Sequence, residues 1–162
     1  MDTIFRLPTP AAVANLFTIL LGKKTVVKPA GDTKIDRNSP VATGVYINQG
    51  GAINALCVFD LALASHAGAA LTMIPPGVAA DQVKHGALAD GVSDNLHEVF
   101  NVCVGFFNQG DVPHIRFSEM YLTPPALPEA VGSFADDQAL LNLGMDVSIE
   151  SYGSGQLCLY TL

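Results

Sequence analysis

Apolar positions along this chain recur with two periods, about 3.6 and 2, and the changes between them divide it into helices and strands. Thr9 and Pro10 read as an N-cap and a first-turn proline, opening a helix that runs to about Leu21 and stops at Gly22. "KTVVKP" follows as a short strand, then the polar loop "AGDTKIDRNSP". "VATGVYIN" and "AINALCVFD" are strand-like segments joined by "QGG", the pattern of a hairpin. Asp60 is placed to cap a second helix, "LALASHAGAALTMI", which "PPG" ends. Its small side chains predict close packing instead of a catalytic surface.

The second half opens with a longer helical stretch, residues 81–108, with an irregularity expected near Gly91. After "QGDVP" comes the strand "HIRFSEMYL", ended by Pro124 and Pro125. A loop or short helix over about 126–143 leads to "MDVSIESY", and "GSG" turns the chain into "QLCLYTL". Both halves therefore run helix, strand, long connection, hairpin. The pattern predicts one α+β domain over 1–162, with pseudo-repeats at about 9–59 and 83–162 joined by helix 60–74. The natural packing is pseudo-twofold, with helices on one side of a sheet.

Composition narrows the functions available. The 162 residues are 49% apolar and 14% charged, against a usual charged share of about 25%, which excludes disorder and favours buried self-association or partner surfaces. A net charge of -7 with eight Lys and Arg gives no basic surface for nucleic acid or for an acidic membrane. The first ten residues lack the features of a signal peptide, and "VANLFTILLG" has about half the length that crosses a bilayer. Cys57, Cys103 and Cys158 sit in apolar runs and read as buried thiols. These features predict a cytoplasmic protein.

The candidate chemistry lies in "DNLHEVFN", residues 94–101. At 100° per residue, Asp94, His97, Glu98, Asn101, Gly105 and Asn108 fall on one stripe, and the rest of the surface is apolar except for Asn95. The helix is thus expected to be buried on most sides, with Glu98 and Asn101 projecting together from a narrow polar strip. HExxH zinc chemistry is excluded, because the residue four after His97 is Asn101, and His66, His85 and His114 have no helpful spacing. An exposed helix strip carries Glu and Asn for solubility alone in many proteins. Here, however, Asn101 and Gly105 both weaken the helix without an evident packing return. A carboxylate, a carboxamide and a notch at Gly105 suit docking against another protein.

Here the sequence resembles the CheC/CheX/FliY family of bacterial chemotaxis phosphatases. The family motif is Asp or Ser, three residues, Glu, two residues, Asn, twenty-two residues, Pro; Asp94, Glu98, Asn101 and Pro124 fit every interval. The resemblance covers most of the chain and implies a duplicated α/β unit with two helices over a sheet. It implies hydrolysis of the aspartyl-phosphate of a response-regulator receiver domain, typically CheY. Asn101 would aim the attacking water and Glu98 would dock beside the receiver's lysine, with Asp94 a first-turn or capping residue. Asp94 and Gly105 would face the partner, and Pro124 would end the strand and shape its exit. His97 is read as an incidental neighbour. No cofactor of its own is implied, since Mg²⁺ would be held by the receiver's carboxylates.

The first half lacks a second motif. Asn15 matches Asn101, but Ala12 replaces Glu and Asn38 replaces Pro, with Pro40 nearby. A single site makes the chain CheX-like, which implies a homodimer. The alternative is a non-catalytic module of the same fold, docking a receiver, flagellar or regulatory partner. A small-ligand enzyme has little support, since "NQGG" and "GSG" fit neither a P-loop nor a dinucleotide fingerprint.

Overall fold

The computed structural model describes residues 5–30, 35–36, 39–123 and 127–162. Five helices and six strands follow one another as α1 (Pro10–Leu21), β1 (Thr25–Pro29), β2 (Val41–Ile47), β3 (Ile53–Asp60), α2 (Leu61–Leu71), α3 (Pro76–His85), α4 (Asp90–Cys103), β4 (Arg116–Thr123), α5 (Glu129–Ser133), β5 (Leu141–Ile149) and β6 (Gly153–Thr161). A 3₁₀ turn over Val104–Phe106 extends α4, and a π turn over Phe134–Gln138 extends α5. The strands form one antiparallel sheet in the order β1-β5-β6-β3-β2-β4. Exchanging β1 with β4, β2 with β5 and β3 with β6 reverses this order onto itself. The duplicated order read from the sequence is therefore a pseudo-twofold whose axis lies between β3 and β6. Each half gives its first strand to the other half's hairpin: β1 pairs with β5, and β4 with β2.

The main core lies between the sheet and the helices. Val13 and Phe17 of α1, Leu63 and Ala67 of α2, and Leu96, Val99, Phe100 and Cys103 of α4 pack on Ala42, Tyr46, Cys57 and Phe59 of the central strands. The opposite face of these strands carries Val41, Val45, Leu56, Val58, Cys158 and Tyr160, covered by Val131 and Phe134. The expected α+β fold with helices over a sheet is observed, and the short α5 segment adds a small second layer on the far side. Cys57, Cys103 and Cys158 are buried thiols, as expected. Burial pushes the Cys57 thiol well above its ordinary range.

Three close approaches pack α2, one through its own Gly68 and two through glycines of β6. Asp60 caps the helix, its Oδ1 accepting from Leu63 N at 2.8 Å. A Cβ at Gly68 would come within 2.6 Å of Val92 Cγ1, and one at Gly155 within 2.3 Å of Leu63 N. One at Gly153 would lie 2.7 Å from His66 Nε2. That packing explains a difference from the sequence reading. The last hairpin turns at residues 150–152, with Ser151 at φ 71, and Gly153-Ser154-Gly155 belongs to β6, where α2 needs backbone without side chains.

The long helical stretch also differs. It breaks at Gly86 and not near Gly91: Gly86 takes φ 73 and closes α3, its N–H donating to Gln82 O at 2.9 Å. Pro76 starts α3, so "PPG" opens a helix and does not end one: α2 stops at Leu71, short of the expected residue 74, with Met73 at φ 57. Gly91 sits in the first turn of α4, where glycine costs little. Among the described residues no helix is long and apolar enough to cross a membrane.

Candidate functional site on the outer face of α4

Helix α4 carries the predicted strip. Val92, Leu96, Val99, Phe100 and Cys103 are buried, while Asp94, His97, Glu98 and Asn101 are exposed. The polar exception on the apolar side, Asn95, has a structural role: its Nδ2 donates to Gly68 O and to Thr72 Oγ1, both at 2.8 Å. Asn108 is likewise a clamp and no part of the exposed site. Its carboxamide donates to Ile115 O at 2.7 Å and accepts from Ile115 N at 3.0 Å, which fixes the chain as it enters β4.

Two residues of β2 hold α4 in place. Gly44 lies under the Phe100 ring, and a Cβ there would come within 2.6 Å of Phe100 Cδ1. Glycine inside a strand is costly unless something approaches closely, and here the ring does. Two positions along, on the same face, the buried Tyr46 hydroxyl donates to Phe100 O at 2.6 Å. Burial pushes this phenol well above its ordinary value, so it stays a protonated donor. The Phe100 carbonyl is one of the last four in α4, the set left without partners inside a helix. Tyr46 thus supplies a cap where α4 tightens into its 3₁₀ turn. Phe117 of β4 completes the support, stacked on Phe100 at 6.4 Å and edge-on to His97 at 6.2 Å.

The motif residues divide accordingly. Glu98 and Asn101, one turn apart, share the exposed strip. Asp94 is exposed near them but is not a first-turn or capping residue, because α4 starts at Asp90 with Ala89 as its N-cap. A Cβ on Gly105 would meet Leu16 Cδ1 at 3.7 Å, an ordinary contact, so nothing inside the chain requires glycine there. Pro124 lies outside the described residues. Its neighbour Thr123 ties the end of β4 to β2, its Oγ1 accepting from Val41 N at 3.2 Å and donating to Ser39 O at 3.1 Å. Gly44, Tyr46 and Phe117 were not singled out from sequence; the glycine inside a strand pattern was the available signal.

The strip lies on the exposed outer face of a helix. A cavity of about 270 Å³ between β2, β4, α2 and the link from α3 to α4 is lined by Leu61, Ala64, Leu88, Leu122 and similar residues, with no strip residue and no titratable side chain. Among the described residues, no three His, Cys, Asp or Glu side chains come together as a metal-ligand set. A raised carboxylate and carboxamide on a rigid helix can reach into another protein's cleft. They cannot enclose a small molecule.

No protein-family model matches the chain, and no curated protein sequence does. Solved structures match over nearly its whole length. A FliM–SpeE complex from H. pylori superposes with a TM-score of 0.63 at 5% identity, covering 94% of this chain and 80% of that one. FliY from Thermotoga maritima gives 0.51 at 12%, covering 91% and 81%. A CheX–CheY–BeF3–Mg²⁺ complex from Borrelia burgdorferi gives 0.52 at 10%, covering 90% of each. The fold of this chain is that of the CheC/CheX/FliY group of chemotaxis proteins, the group its motif resembles.

Proposed function

We propose that this chain is a phosphatase acting on the aspartyl-phosphate of a CheY-type receiver domain. The observation that carries this reading is the exposure of Glu98 and Asn101 side by side on a helix pinned from beneath by Gly44, Tyr46 and Phe117. An acyl phosphate is already a reactive bond, so positioning a water in line with it can account for much of an acceleration. The Asn101 carboxamide holds that water, and Glu98 pairs with a lysine of the receiver. Mg²⁺ belongs to the receiver and is held by its carboxylates. Asp94 and Gly105 lie at the edges of the contact, and the protein works as a homodimer in the cytoplasm. The CheX neighbour with CheY in its complex supports a receiver as the partner.

A second reading, a docking module without catalysis, is favoured by one observation. The FliM structures, among them complexes with SpeE and FliG, superpose with TM-scores of 0.63 and 0.56, above the 0.52 of the CheX complex. Phosphate release from a phosphorylated CheY-type receiver separates the two. Acceleration that disappears in Asn101→Ala, with receiver binding retained, supports the phosphatase. Glu98→Ala should weaken binding as well as turnover. Binding by a wild type that gives no acceleration supports the docking module. Both variants should melt within about 0.5 kcal/mol of wild type, because neither side chain fills core.

A further inference from the structure

A water molecule held by one acceptor still rotates about that hydrogen bond. To aim a lone pair at phosphorus, both of its hydrogens need partners. The Asn101 carboxamide oxygen can take one. Glu98, in the function proposed above, is occupied by the receiver's lysine. Asp94 lies seven residues before Asn101, about 10.5 Å along the helix axis, and is out of reach.

His97 is the remaining candidate, and its placement is specific. It stands four residues before Asn101 on the exposed strip, the spacing at which helix side chains are neighbours. Side chains on a helix lean toward its N-terminus, so the Asn101 carboxamide leans over the turn that carries His97. The imidazole is braced edge-on by Phe117, with ring centroids 6.2 Å apart and planes at 69°. Phe117 in turn stacks on Phe100, which sits on Gly44. A histidine with a ring contact leading through two aromatic side chains to the central sheet has a neighbour to orient it, which an isolated surface residue lacks.

We infer that His97 is a further positioning residue of this site, its neutral imidazole accepting the second hydrogen of the water that Asn101 holds. This inference rests on the phosphatase reading. In the step, the water oxygen bonds to phosphorus, the bond from phosphorus to the acyl oxygen breaks, and the aspartate leaves as carboxylate. The water's proton leaves on the phosphate product and is lost from it to solvent, so the imidazole orients the water without taking its proton. A neutral acceptor serves better than a second carboxylate, which would repel the incoming phosphoryl group. A protonated imidazole has no acceptor to offer. The charged neighbours on its own helix are Asp94 and Glu98, whereas Arg116 and Glu119 of β4 pair with Ile47 and Val45 on the sheet face away from α4. Helix α1 has no charged residue, and the titratable group of α2 is the buried His66.

The test is phosphate release from a CheY-type receiver charged with acetyl phosphate in Mg²⁺, after subtraction of the receiver's own rate, between about pH 5.5 and 8. Wild type should lose activity toward acid. His97→Ala should reduce kcat by at least ~10-fold with KM unchanged, and should lack the acid fall. His97→Gln keeps an acceptor that does not titrate, so it should recover most of the rate with a flat profile. A His97→Ala variant with wild-type rate and wild-type acid fall, beside an inert Asn101→Ala, would overturn this inference and leave the phosphatase standing. A wild type that accelerates nothing would overturn both.

Discussion

Helices α1 and α4 occupy equivalent places in the pseudo-twofold, yet their outer faces share only an exposed Asn. Both bury a phenylalanine against Phe59, Phe17 at 6.0 Å and Phe100 at 4.6 Å between ring centroids. Outside, α4 exposes Asp94, His97, Glu98 and Asn101, whereas α1 exposes Ala11, Asn15 and Ile19, the last at 74%. Four residues beyond each Asn stand Ile19 and Gly105, a branched side chain in one copy and none in the other. The ends differ too. Gly22 closes α1 at φ 67 with its N–H on Thr18 O, while α4 passes into a 3₁₀ turn beneath the Tyr46 hydroxyl. Sequence freedom on the outer faces is wide because the sheet contacts alone fix the fold, so chemistry can be kept on one copy and lost from the other.

The sharpest break of this comparison is catalytic. Asn101→Ala should lower receiver dephosphorylation by ~100-fold or more, while Asn15→Ala should leave it within about twofold, measured as phosphate release. Equal losses would mean that both helices act. Next comes the seat of α4. Gly44→Ala drives a Cβ into the Phe100 ring, and the crowding should cost about 2–3 kcal/mol in urea unfolding and reduce turnover by displacing the strip. The smallest effects concern the two helix ends. Tyr46→Phe should cost about 1–2 kcal/mol by leaving the Phe100 carbonyl without its donor. Gly22→Ala should cost about 1 kcal/mol through the left-handed backbone alone, with activity unchanged.

Much of this was legible in the sequence, because the signals were local. Thr9, Pro10 and Gly22 bound α1, and Asp60 caps α2, as their types and positions predicted. The α4 strip followed from angular spacing. The break at Gly86 was legible but passed over: Lys84, His85 and then Gly86 is a helix-end pattern, basic residues in the last turn before a left-handed glycine. Long-range contacts were not legible. Nothing near Tyr46 announces that its hydroxyl meets a carbonyl 54 positions away. Gly153 and Gly155 resemble turn residues until helix α2 is laid over them.

The exchange of first strands between halves has a consequence for how the chain is made. As synthesis proceeds, the N-terminal hairpin of β2 and β3 emerges before either neighbour exists: β4 on one edge, β6 on the other. Strand β1 waits longest, since Thr25 pairs with Ile149 near the far end of the chain. Neither half can complete its share of the sheet alone, so this topology predicts late folding through non-local pairing, slow beside a helical bundle of the same length. Until then the nascent hairpin has two open, apolar edges, the species most exposed to pairing with a neighbouring chain.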